Sequence, residues 1–179
     1  PGTRELRLAG SAGLSNPLRF EVGRIREVCE QETLVPPTMP GLASLAGAGL
    51  PALRTPVTLN GQIMPGDVDR FRIQARKGQK LVLEAQARRL MPYLADAVPG
   101  WFQATLALYD AKGNEVAFAD DFRFDPDPVL YFEAPQDGEY EVEIRDAIYR
   151  GRADFVYRVT VGEQPFVTGI FPLGARAGA

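Results

Sequence analysis

The chain contains no histidine. That absence removes the usual general base at neutral pH, the Ser-His and Cys-His nucleophilic pairs, and the commonest zinc ligand. Serine is confined to Ser11, Ser15 and Ser44, all outside the strand-rich part of the chain. Cys29 is the single cysteine, so an internal disulfide and a thiolate metal cluster are both excluded. It has no basic or metal partner nearby in sequence and reads as a buried or incidental thiol. No apolar run approaches the roughly 20 residues needed to cross a bilayer, so no membrane span is expected. The net charge of -3 offers no field for phosphate, and the arginines alternate with acids along the strands, so nucleic acid is not expected as a partner. What these absences leave is carboxylate chemistry and hard, oxygen-ligated metals.

At 179 residues, 45% of them hydrophobic, the chain can bury one good core. Its pattern is set by residues 56–73, PVTLNGQIMPGDVDRFRI. Val57, Leu59 and Ile63 mark one strand, Met64-Pro65-Gly66-Asp67 supplies a turn, and Phe71 and Ile73 alternate with arginines in a second strand. Period-2 segments then follow in series: Leu81, Leu83, Ala85 and Ala87; Leu106 and Leu108; Val116 and Phe118; Leu130 and Phe132; Tyr140, Val142 and Ile144; Phe155, Tyr157, Val159 and Val161. Each strand has one apolar and one polar face, as a two-layer sandwich requires. Lys77-Gly78 and Asp137-Gly138 read as hairpin turns. The fold class predicted is all-β: an antiparallel, jelly-roll-like β-sandwich of about eight strands with short flanking strand segments.

Residues 1–23 read as strand, turn, strand. Two strands are not a domain, so they either dock on the main body or close a preceding domain, and the second reading is favoured. Residues 24–55 read as a Pro/Gly-rich linker, although its leucines imply that part of it lies against the domain surface. Residues 90–98, LMPYLADAV, break the strand rhythm and could hold a helical turn or two.

Asp69 is out of place, because strand parity puts it on one face with Phe71 and Ile73. A carboxylate there must find backbone amides, an arginine or a metal. The expectation is that backbone or arginine donors meet it and fix the turn, with a metal as the alternative. The densest polar cluster, ADDFRFDPDP, places Asp120, Asp121, Asp125 and Asp127 in a short loop. Calcium, the candidate cofactor, needs several oxygens on an irregular loop; the competing reading is a solvated turn whose acids pair with Arg123 or another arginine. Trp101 plugs one end of the sandwich or, with Tyr93 and Phe102, forms a ligand platform. Tyr149-Arg150-Gly151-Arg152 is expected to neutralise nearby aspartates such as Asp146 and Asp154. Glycoside hydrolysis needs two acids facing each other across a cleft, and no aromatic-lined cleft can be inferred beside these.

The run TLNGQIMPGDVDRFRIQARKGQKLVLEAQA, followed by ALYDAKGNEVAFADD and APQDGEYEVEIRDA, resembles the bacterial pre-peptidase C-terminal domain. The match covers residues 56–162. Its most specific parts are the Gly-Asp-x-Asp-x-Phe turn, the Leu-Tyr-Asp-x-x-Gly hairpin and the Asp-Gly-x-Tyr approach to a late strand. The resemblance implies a non-catalytic β-sandwich found beside proteases and in large exported multidomain proteins, some relatives of which bind calcium, collagen or polysaccharide. SAGLSNPLRFEVG is similar to the closing strands of TIG-like immunoglobulin domains, and residues 163–179 are similar to the opening of such a domain. The expected function is therefore that of a non-enzymatic, extracytoplasmic spacer, adhesion or substrate-presenting module of a larger bacterial protein. A calcium-dependent carbohydrate- or protein-binding domain is the alternative. Expected partners are other domains of the same parent chain and an extracellular polysaccharide or protein.

Overall fold

A computed structural model describes residues 1–30, 51–91, 101–167, 169–174, 176 and 178. The chain forms β1 (Gly2–Leu6), β2 (Ala9–Gly10), β3 (Gly13–Leu14), β4 (Leu18–Val22), β5 (Glu27–Cys29), β6 (Leu53–Arg54), β7 (Val57–Gln62), β8 (Val68–Ala75), β9 (Lys80–Gln86), β10 (Ala104–Tyr109), β11 (Glu115–Ala119), β12 (Val129–Glu133), β13 (Gly138–Asp146) and β14 (Val156–Gly162). Two five-stranded sheets make the body, one ordered β11-β10-β13-β8-β6 and the other β12-β9-β14-β7-β5. Pairing is antiparallel throughout both sheets except at their ends, where β5 joins β7 and β6 joins β8 in parallel.

The predicted alternation decides the layering. Phe71 and Ile73 from β8, Leu106 and Leu108 from β10, and Val142 and Ile144 from β13 face Val57 and Leu59 from β7, Leu81 and Leu83 from β9, and Val159 and Val161 from β14, all of them buried in one core. Each fully buried aliphatic side chain of this kind contributes about 1.5–3 kcal/mol of transfer free energy. The polar face of β8 and β13 carries a ladder of charges instead: Arg70 meets Glu143 at 2.7 Å and Glu141 at 3.3 Å, and Arg72 meets Glu139 at 3.4 Å. The Lys77-Gly78 turn lies where the sequence puts it, with Gly78 at φ +76° and the Lys77 N–H donating to Asp137 Oδ1.

Two strands come from the stretch read as linker, because β5 and β6 lie within residues 24–55. Their pairing raises the sandwich from about eight strands to ten. Cys29 lies on β5 and is exposed rather than buried. Residues 1–22 form two small sheets of their own, β1 with β4 and β2 with β3. On one face of the larger hairpin Leu6 stands opposite Leu18, and Phe20 opposite Arg4; Leu6, Leu18, Phe20 and Val22 are all exposed there.

Candidate functional site

The acids that sequence reasoning offered for chemistry differ in burial. Asp127 is buried at 1% exposure. Its Oδ1 accepts the N–H groups of Ala87 at 3.1 Å and Arg88 at 2.6 Å, and its Oδ2 accepts the Arg89 N–H at 3.0 Å and Arg89 Nε at 3.1 Å. This carboxylate anchors the 3-10 turn Arg88–Leu90 that ends β9, and its acceptor positions are spent on backbone donors that would otherwise be orphaned. Asp125 accepts the Asp127 N–H through Oδ1 and is exposed, as are Asp120 and Asp121. Among the described residues, no three carboxylate or thiol side chains converge on one point.

The turn inside this loop has an unusual composition. Phe122 and Asp125 exchange both backbone hydrogen bonds, at 2.9 and 3.0 Å, so Arg123 and Phe124 are the central pair of a two-residue hairpin turn. Both have positive φ, 54° and 69°, where Asn-Gly is the usual choice. Arg123 lies over the Phe122 ring, 5.3 Å from its centroid, rather than against the acids of the loop.

Asp146 is the second buried anchor. It accepts backbone N–H groups from Gln103, Ile148 and Arg150, and the Arg150 guanidinium from Nε at 3.0 Å and from its terminal nitrogen at 2.9 Å. Burial alone would raise its carboxyl, but Arg150 and these amides outweigh that and hold it below the usual carboxylate range. Arg150 also donates to the Trp101 carbonyl at 2.8 Å, tying the loop before β14 to the start of β10. The expected neutralisation of Asp146 and Asp154 is made by Arg150 and Arg152 respectively.

Trp101 and Phe102 are buried. Phe102 stacks on Phe155 at 5.0 Å, Trp101 tilts against the same ring at 5.8 Å, and Arg152 lies 5.5 Å from the indole centroid. Both rings belong to the core cluster. Tyr93, the third member of the predicted platform, lies outside the described residues, as do most of residues 90–98.

Asp69 lies on the inner face of β8, as parity requires, opposite Ile144. Its partners differ from the expected amides and arginines. Tyr157, from β14 of the other sheet, donates its hydroxyl proton to Asp69 Oδ2 at 2.6 Å, and the same hydroxyl lies 3.3 Å from Oε2 of Glu30, just past β5. The turn is fixed by its neighbour instead: Asp67 Oδ1 accepts the Val68 N–H at 3.0 Å. Burial, reinforced by Glu30, raises the Asp69 carboxyl to about 9. The Tyr157 phenol is pushed above its ordinary range by burial and by Asp69. Gly61 leaves room for this cluster, because a Cβ there would overlap both Tyr157 Oη and Glu30 Oε2. Sequence reasoning missed Glu30 and Tyr157 as partners of Asp69; Glu30 sits in the stretch read as linker and Tyr157 reads as an ordinary inward strand residue.

No protein-family model matches the chain, and no curated protein does. Among solved structures it is similar to the 1.0 Å crystal structure of the pre-peptidase C-terminal domain of collagenase from Bacillus anthracis, at a TM-score of 0.43 and 13% identity, over 62% of this chain and 91% of that one.

Proposed function

We propose that the chain is a non-catalytic β-sandwich module of a larger exported bacterial protein, acting as a spacer, adhesion or substrate-presenting element beside other domains of the same parent chain. One observation carries the reading. The buried carboxylates Asp127 and Asp146 each accept three backbone amides and an arginine, so their lone pairs hold loops in place. A general acid or base needs a proton it can exchange with substrate, and these two are committed to the framework. The motif resemblance over residues 56–162 supports the same conclusion independently.

The test is an assay of the purified chain against gelatin, peptide and polysaccharide substrates, with calcium and with EDTA. The expected result is no turnover in either condition and no calcium-dependent shift of the melting temperature. Hydrolysis that is lost on Asp120→Asn or Asp121→Asn would overturn the proposal.

A further inference from the structure

Among the described residues β5 is a short edge strand, held to β7 by three parallel residue pairs and by the Asn60 side-chain amide, which donates to Glu27 and to the Val28 carbonyl, while Val28 packs against the core. Besides its parallel pairing with β7, the Thr58 N–H donates to the Arg26 carbonyl and the Glu30 N–H to the Asn60 carbonyl, both at 2.8 Å, while Glu27 pairs with Arg158 at 2.9 Å. At the inner end of this strand Glu30 turns toward the sandwich. Its Oε1 accepts the Gln62 N–H at 2.9 Å, and its Oε2 lies 3.3 Å from the Tyr157 hydroxyl. Asp69 completes the cluster: its Oδ2 accepts the same hydroxyl at 2.6 Å, so a single phenol stands between two carboxyls.

One hydroxyl has one proton to give, so two carboxyls gathered on it are both satisfied only while one of them keeps a proton of its own. The groups that face Asp69 are Glu30 from beyond β5, Tyr157 from β14 and Asp67 from the turn before β8. Two are acids and the third is a phenol, so none compensates a second negative charge. The three elements also differ in how firmly they are held. Among the described residues β8 lies between β13 and β6, and β14 lies between β9 and β7, whereas β5 has a neighbour on one side only.

We propose that Asp69, Tyr157 and Glu30 form a proton-held clasp that fastens β5 to the sandwich, and that withdrawing the shared proton releases the strand. Once both carboxyls are ionised, the Tyr157 proton satisfies one of them, and the other faces a like charge at hydrogen-bond range. Asp69 is paired with Ile144 in the eight-pair ladder of β8 and β13, and Tyr157 with Gly61 in the six-pair ladder of β14 and β7, whereas β5 has three pairs. Relief therefore falls to Glu30, which swings into solvent and takes β5, and the attachment of residues 1–22, with it. Protonation holds the strand closed across the acid and neutral range, and opening belongs to the alkaline side. The device is a property of the fold and stands whether or not the module binds anything.

The experiment is amide hydrogen exchange on the full chain from pH 6 to 10.5, expressed as protection factors so that the intrinsic pH dependence of exchange is divided out. Protection at Glu30, Thr58 and Gln62 is expected to fall at least tenfold around pH 9, with Phe71 and Val142 in the central strands unchanged. Asp69→Asn keeps a donor for Glu30 and an acceptor for Tyr157 but has no proton to lose, so its β5 protection is expected to stay flat. Glu30→Gln is the second variant, with the same expected result, should the first fold poorly. Three results overturn the proposal: unchanged wild-type protection to pH 10.5, a loss equally present in both variants, or a loss shared by Phe71 and Val142.

Discussion

Asp127→Asn is the sharpest test of what the loop acids do, because it keeps the shape of the side chain and changes only what it can accept. In the wild type, Oδ1 takes the Ala87 and Arg88 amides and Oδ2 takes the Arg89 amide and Nε. Asparagine retains one oxygen and turns its NH₂ toward donors on the other side. The cheaper orientation gives the NH₂ to Arg89, whose side chain is 45% exposed and keeps Glu84 at 2.9 Å, so the guanidinium loses little. The Arg89 backbone N–H is then left without an acceptor, at about 1–3 kcal/mol. The two bonds that remain lose the strength a full negative charge gave them, about 0.5–1 kcal/mol each. The total is a destabilisation of about 2–5 kcal/mol. Urea unfolding followed through Trp101, the single tryptophan and buried in the core, measures it directly. A loss below about 1 kcal/mol, or a loss seen only when calcium is present and absent in EDTA, would refute the argument that Asp127 serves the backbone rather than a cation.

Gly151→Ala should fail to fold or unfold far below the wild type, because its Cβ would overlap the Met64 carbonyl and Pro65 N, which are backbone and cannot swing aside; circular dichroism of the purified variant decides it. Replacing Arg123-Phe124 by Asn-Gly should relieve two positive-φ residues and stabilise by about 1 kcal/mol, raising Tm by about 2–4 °C; an unchanged or lower Tm would mean that the turn is not strained. The pH dependence of stability has a defined sign at Asp69. Its carboxyl is raised to about 9 in the folded chain, so the folded state holds a proton that the unfolded state gives up above about pH 4. Its contribution is whole below that point and declines as pH rises, by up to about 1.4 kcal/mol per pH unit, until the folded value is passed. The stability difference between wild type and Asp69→Asn, measured in urea at pH 5, 6, 7 and 8, should therefore shift steadily against the wild type; a constant difference contradicts the assignment. Leu83→Ala, deleting a fully buried side chain, should cost about 2–5 kcal/mol in the same assay.

The body strands were legible because period-2 alternation survives along each of them, and a one-residue slip would turn every apolar side chain to the wrong face. β5 and β6 escaped for the opposite reason. Three residues and two residues are too short to show a period, and they flank a stretch rich in proline and glycine; only the edges of β7 and β8 make them strands. The loop ADDFRFDPDP resisted for another reason. Its four acids are locally alike, and which of them is buried depends on where the backbone of residues 87–89 passes, information held about forty residues away. Trp101 could be read two ways because a tryptophan at the start of a strand is equally suited to a plug and a platform, and the ring it packs against, Phe155, belongs to the far end of the chain.

Asp69 is in phase with Phe71 and Ile73, and Asp146 is in phase with Val142 and Ile144; both are carboxylates placed on an inward face at the end of a strand. Parity finds them both and says that each must be satisfied internally. It does not say how, and the two solutions are opposite. Asp146 is met by Arg150 and three amides, all donors, and burial strengthens those bonds until the charged form is the stable one. Asp69 is met by one phenol and a second carboxyl, a single obligatory donor for two acids, and the same burial favours the neutral form. The difference lies in the partners: the arginine that meets Asp146 is four residues away, and the phenol that meets Asp69 is 88 residues away. A strand of the same pattern thus ends in a fixed anion at β13 and in a removable proton at β8, and only the second can respond to the medium.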